Sequence, residues 1–285
     1  MKDLFIIDGI GAFFTGYKRN VINWSKIPFD HLEKRRRLKK KLLKRILENF
    51  EKFLRHACSF GYNAVSLDDV AHLASFDIYP EELLSKISHY RSFFGKVIKL
   101  CHSYKLKVFL TTDVMFFNEQ IRRYTRMRLP EIIGFLGMAC RQVFETFKID
   151  GVIARIGERD GNDVEGEFLS DLCIRTPKEA NRLIKGLLPL FEQKKKLLIF
   201  RTWTVGAHAI GDLMWNAATY DRTFKGIVSR NFIVSMKYGD TDFFSKLSLN
   251  PLLFHGEQQK LLELQTRRER EGFGLFPNYL GWEWQ

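Results

Sequence analysis

The sequence is poor in the features that would place it quickly. It has four cysteines, Cys58, Cys101, Cys140 and Cys173, and none forms a CxxC pair. Three of them (Cys58, Cys101, Cys140) sit in apolar, helix-like runs, which reads as reduced core thiols rather than a disulfide framework. The seven histidines show no HxxxH or HExxH spacing, so no metal site is expected. No GxGxxG or GxxxxGK[ST] run occurs, so no nucleotide cofactor is expected either. No stretch of 18 apolar residues is present, which excludes an obvious membrane span. The N-terminal "MKDLFIIDGIGAFF" is broken by Asp8 and is a poor signal peptide, so the chain as written reads as cytoplasmic; an upstream segment would void that reading. Only 7 prolines are scattered through it and no Gly/Ser linker divides it, so a single domain over 1–285 is expected.

What is present is apolar mass and positive charge. Hydrophobic residues make up 45% and aromatics 14%, enough for a large core, and the formal net charge is +13. A basic excess suits an anionic partner or a basic surface. Much of it lies in "EKRRRLKKKLLKR" (33–45). That run reads either as a polyanion patch or as the solvated face of an amphipathic helix over 33–61, with Leu38, Leu42, Leu43 and Ile46 opposite; the helix is the preferred reading. With no RRM, OB or helix-turn-helix signature, nucleic acid is an unlikely partner.

Short apolar runs alternate with long helical patterns. The strand candidates are 3–8, 63–69, 107–113, 151–158, 196–203, 232–240 and 260–269, rich in Val, Ile, Leu and Phe as strands covered on both faces should be. Helical periodicity marks 33–61, 80–105, 129–148 and 177–193. "TPKEAN" (176–181) reads as a helix start, with Thr176 as N-cap, Pro177 at the first helical position and Glu179 three residues after the cap. This alternation predicts a parallel α/β fold. Each strand candidate finishes on or near charge: Asp8, Asp68 and Asp69, Asp113, Arg155 and Glu158, Arg201, Lys237 and Asp240, Arg267 and Glu269. A barrel draws its site from the C-terminal ends of many strands, whereas an open doubly wound sheet concentrates it at one switch point. The fold expected is therefore a (β/α)8 TIM-type barrel with seven strands visible and the eighth missing, as in a C-terminally incomplete chain. Its unpaired edges would suit a homo-oligomer.

Three carboxylates follow late strands: Glu158, Asp242 and Glu269. Paired carboxyl groups are what glycoside hydrolysis needs, one as proton donor and the other acting on water or the sugar. Arg201 and Lys237 end the fifth and sixth strands. Cations in a barrel mouth are costly unless something anionic meets them. A substrate carboxylate would serve, and so would a structural ion-pair network joining Arg155, Arg201, Lys237 and Arg267 to the acids. Trp203, Trp24, Phe243 and Phe273 fall at strand ends or loops, where rings stack on sugars or simply pack.

"SMKYGDTDFF" (235–244) followed by "LELQTRRE" (262–269) resembles the paired motifs of glycoside hydrolase family 67 α-glucuronidases. "YDRTFKGIVSRNFIV" (220–234) resembles the family's lead-in to that strand, and "FRTW" (200–203) its arginine-bearing fifth strand. The resemblance covers 196–270. It implies that Asp242 and Glu269 activate water in an inverting mechanism, that Glu158 is the general acid, and that Arg201 and Lys237 bind a uronic acid carboxylate. Asp160, Asp163, Glu165 and Glu167 are rivals to Glu158. Trp203, Arg155 and Asp68 complete the expected substrate-binding set, for an acidic oligosaccharide or polysaccharide. Family members are longer, with an N-terminal β domain and a helical C-terminal region. A non-catalytic carbohydrate- or polyanion-binding barrel is the alternative.

Overall fold

The computed structural model describes residues 3–18, 26–34, 37–157, 166–204, 206–238 and 248–264. Seven parallel strands run in sequence order across one sheet: β1 Ile6–Asp8, β2 Ala64–Asp68, β3 Lys107–Asp113, β4 Gly151–Arg155, β5 Leu197–Arg201, β6 Phe232–Lys237 and β7 Gln259–Glu263. Each pairs only with its sequence neighbours, so the chain never doubles back as a doubly wound sheet does. This is a partial (β/α)8 barrel, a curled sheet with β1 and β7 at the edges of its described part. Its helices are α1 Lys40–Ser59, α2 Glu81–Ser103, α3 Glu119–Thr125, α4 Leu129–Thr146, α5 Pro177–Gln193 and α6 Ala217–Phe224.

Side-chain alternation along the strands produces two cores. One parity faces the helices: Val65, Leu67, Val108, Leu110, Val152, Leu198, Phe200, Phe232 and Val234 belong to the large outer core. The other parity builds a separate inner layer from Ala64, Phe109, Ile153, Ile199 and Ile233, with Ile6 and Leu261 packed on it from the edge strands. Two residues further along each strand, the same inward parity turns polar: Asp8, Ser66 and Asp68, Thr111 and Asp113, Arg155, Arg201, Ser235 and Lys237, Glu263. The barrel is thus apolar at its floor and charged at its mouth.

The third strand and α5 match the sequence reading residue for residue, and α2 and α4 do so within two residues. The α5 start is a complete capping box: the Glu179 amide donates to Thr176 Oγ1, and the Glu179 carboxylate accepts from the Thr176 amide. Two expectations need correction. The helix expected over 33–61 begins only at Lys40; Glu33–Lys34 instead pairs antiparallel with Arg37–Leu38. Leu43 and Ile46 do face the core from α1, while Leu38 precedes the helix. The last strand, expected over 260–269, ends at Glu263, and residues 265–269 lie outside the described part. Helices α3 and α6 are too short for periodicity to reveal, but asparagine caps start both: Asn118 Oδ1 accepts from the Ile121 amide, and Asn216 Oδ1 from Ala218 and Thr219. The cysteines are all free, and burial pushes the Cys101 and Cys140 thiols up to about 12. Among the described residues, no helix is long and apolar enough to cross a membrane.

Gly151 opens β4 where a Cβ would stand 2.2 Å from the Leu197 carbonyl oxygen and 3.0 Å from the Phe109 ring. Gly151→Ala is therefore expected to cost at least about 1–3 kcal/mol, the usual range for overpacking. The cost should appear as a lower urea midpoint at unchanged slope. An unchanged midpoint would contradict the close approach of β4 and β5.

Candidate functional site: the charged mouth of the barrel

The mouth is held by two ion-pair clusters. In the first, Arg155 at the end of β4 reaches across β3. Its Nη2 donates to Asp68 Oδ1 at 3.2 Å, and its Nε faces Asp113 Oδ1 at 2.8 Å, as an ion pair off hydrogen-bond alignment. Lys26, from the loop between β1 and α1, closes the cluster on Asp113 Oδ2 at 2.6 Å and donates to Ser170 Oγ at 3.3 Å. The Ile27 amide donates to the other Asp68 oxygen at 3.1 Å. In the second cluster, Arg201 at the end of β5 grips Glu263 at the end of β7 with two hydrogen bonds of 2.9 Å, and Ser235 Oγ on β6 donates to the same carboxylate at 2.7 Å. Both arginines span two strands, roughly 9–10 Å at ordinary strand spacing, which only long side chains can do.

Buried charges force these pairings. Arg155 is 3% exposed and Lys237 4%. Lys237 places Nζ 3.7 Å from the centroid of the half-buried Trp203 ring, a cation–π contact. Gly157 allows this: a Cβ there would lie 2.5 Å from the Trp203 carbonyl oxygen and from Thr204 Cα. The segment after β4 is thereby seated against the backbone that carries Trp203.

The same surroundings drive the carboxyl groups apart. Burial raises Asp68 well above the ordinary 3.8; the Arg155 charge opposes this, while Asp69 and Asp113 add to it. Burial also raises Asp8, against the Ile10 amide and the charges of Arg201 and Arg155. For Glu263, burial alone would raise the carboxyl, but the charge and hydrogen bonds of Arg201, the Ser235 hydroxyl and the Lys237 charge outweigh it and hold it below 4.5. Burial thus pushes one inward acid up while charged and hydrogen-bonding partners hold another down, the kind of division that acid–base work uses.

Of the residues singled out in the sequence, Asp68, Arg155, Arg201, Lys237 and Trp203 come together at the mouth. Glu158, Asp242 and Glu269 lie outside the described residues, as do Trp24, Phe243, Phe273, Arg267, Asp160, Asp163 and Glu165. Glu167 is engaged in an ion pair with Lys86 that also draws in Glu33. The need for an anion beside Arg201 is met within the chain by Glu263. The sequence reading had Asp8 and Asp113 as charged strand ends but not as site residues, and it missed Lys26 altogether. Only the pairing of Asp113 across the mouth could have drawn attention to Lys26, which comes from a loop without periodicity.

No protein-family model matches the sequence, and no curated protein does. Solved structures with some likeness include a hyperthermophilic endo-β-1,4-glucanase in complex with substrate (16% identity, TM-score 0.41, covering 69% of this chain and 55% of that one). Cel5A from Thermotoga maritima in complex with mannotriose is similar at 14% identity and TM-score 0.40, covering 66% of this chain and 53% of that one. A noncanonic maltogenic α-amylase, AmyB from Thermotoga neapolitana, is similar at 15% identity and TM-score 0.40, covering 82% and 67%. The chain spans about half the length of the first two. At these TM-scores, the fold assignment rests on the strand order itself.

Glu263→Gln leaves Arg201 without its carboxylate, and breaking such a pair from one side should cost about 3 kcal/mol near neutral pH. The sign with pH follows from the lowered carboxyl. Its stabilisation is complete above about 4.5 and is lost as pH falls through the lower folded-state value. The stability gap between wild type and variant, read from urea titrations, should therefore narrow on acidification below 4.5. A gap that stays constant would contradict the ionised pair.

Proposed function

We propose that this chain is a glycoside hydrolase acting on an acidic sugar at the barrel mouth, through an inverting, two-carboxylate mechanism. The observation that carries the reading is the mouth itself: inward strand-end acids pushed in opposite directions by their surroundings, beside buried cations and a tryptophan face. The resemblance of 235–244 and 262–269 to the α-glucuronidase motifs supports the same reading. Under it, Asp242 and Glu269 hold and deprotonate the attacking water, and Glu158 protonates the leaving oxygen. Lys237 over Trp203 supplies charge for a uronic acid carboxylate and a flat face for its ring. Arg201 shares its guanidinium between Glu263 and the substrate, and Arg155 keeps Asp68 and Asp113 in place.

A specific observation favours the second reading, a non-catalytic carbohydrate-binding barrel. Arg155 and Arg201 are each engaged by carboxylates of the chain, as in a purely structural network. The readings part on turnover. Release of uronic acid from α-linked glucuronosyl oligosaccharides, followed by chromatography, should fall by at least 100-fold (about 2.7 kcal/mol in the barrier) in Glu158→Gln, Asp242→Asn and Glu269→Gln. Product should appear first as the inverted anomer by NMR. Sugar binding without hydrolysis, unchanged by Asp242→Asn, would sink the hydrolase reading and leave the binding one.

A further inference from the structure

Just beyond β2, His72 is fixed more tightly than packing alone requires. Its Nδ1 lies 2.8 Å from Asp69 Oδ1, and its backbone amide donates to the same oxygen at 2.9 Å. Its ring stacks face to face on Phe29 at 3.7 Å and 2°, with the edges of Phe168 and Tyr90 on its other sides at 5.0 and 6.0 Å. Burial would raise the Asp69 carboxyl, but the His72 charge and hydrogen bonds, with the Lys26 charge, outweigh this and hold it below its ordinary 3.8. An ionised carboxylate on Nδ1 selects the tautomer with its proton there. Nε2, on the far side of the ring, is the nitrogen left to meet a ligand.

Among the described residues, Nδ1 has its partner in Asp69, and no hydrogen bond joins Nε2 to any of them. A histidine that serves only the core usually has both nitrogens satisfied. Here three aromatic rings and a carboxylate aim the ring and leave one nitrogen open. The pair also belongs to the mouth. Asp69 follows Asp68 directly, and Lys26, whose charge Asp69 feels, sits on Asp113 at 2.6 Å. Phe29 follows the Ile27 amide that binds Asp68, and Phe168 precedes the Ser170 that accepts from Lys26.

We propose that His72 is a sugar-binding residue of the mouth: Nε2 forms a hydrogen bond with a hydroxyl of the bound sugar, with Asp69 as its positioning residue. The proposal rests on the carbohydrate reading above and adds to it a contact outside the acids and cations already named. The test uses the full chain labelled with 15N-histidine, with glucuronic acid as the probe. Its binding is followed in parallel by calorimetry. Glucuronic acid should shift the His72 Nε2 resonance. His72→Asn, which keeps a donor for Asp69 but cannot reach the Nε2 position, should weaken binding at least 10-fold, and His72→Gln, which can reach it, should recover part of the loss. Binding with Nε2 unmoved and His72→Asn unimpaired overturns the inference while leaving the carbohydrate reading standing. Absence of any binding overturns both. Where His72→Asn fails to fold, the wild-type resonance decides alone.

Discussion

The structure depends on one constraint: charge placed inside a barrel must be compensated there. The floor of the barrel is a ring of apolar side chains, Ala64, Phe109, Ile153, Ile199 and Ile233. Each of these strands continues inward with polar or ionisable groups on the same parity. Arg155 can be 3% exposed only because Asp68 and Asp113 meet it from β2 and β3. Arg201 is held the same way by Glu263 from β7. The Arg155–Asp68 and Arg201–Glu263 pairs each skip a strand, and so they tie the curl of the sheet to the charge at its mouth.

The same compensation sets the chemistry open to the site. Burial pushes the Asp68 carboxyl up against the Arg155 charge, while Arg201, Ser235 and Lys237 hold Glu263 down. Lys237 takes part of its stabilisation from the Trp203 face, and Gly157 gives the room for that arrangement. Acids shifted in opposite directions, a buried lysine and a flat aromatic surface thus meet at one end of the barrel. Under the proposed function, that combination is what meets the ring and the charge of the sugar.

Much of this could be read from the sequence, and the parts that could not have physical reasons. Strand order was legible because buried parallel strands are continuous Val/Ile/Leu/Phe runs, and the barrel choice because each run ends on charge. Helix α5 was legible to the residue because Thr176, Pro177 and Glu179 carry the cap locally. The start of α1 was not: helical periodicity upstream of Lys40 gives way to a local antiparallel pairing of Glu33–Lys34 with Arg37–Leu38. In the site, Arg155, Arg201, Lys237 and Asp68 were legible as inward strand ends. Which anion would meet each cation was not, because Arg201 and Glu263 are 62 positions apart and find one another only through the curl. Lys26 and the Asp69–His72 pair lie on loops, where no periodicity reports orientation.

The most direct test of the account is a crystal structure of the full chain with glucuronic acid bound. The account predicts the sugar at the C-terminal end of the strands, its ring against Trp203 and its carboxylate within hydrogen-bonding distance of Lys237 or Arg201. A sugar bound elsewhere on the molecule, with the Arg155 and Arg201 ion pairs closed over an empty mouth, would contradict it. The charged mouth would then be a structural network alone.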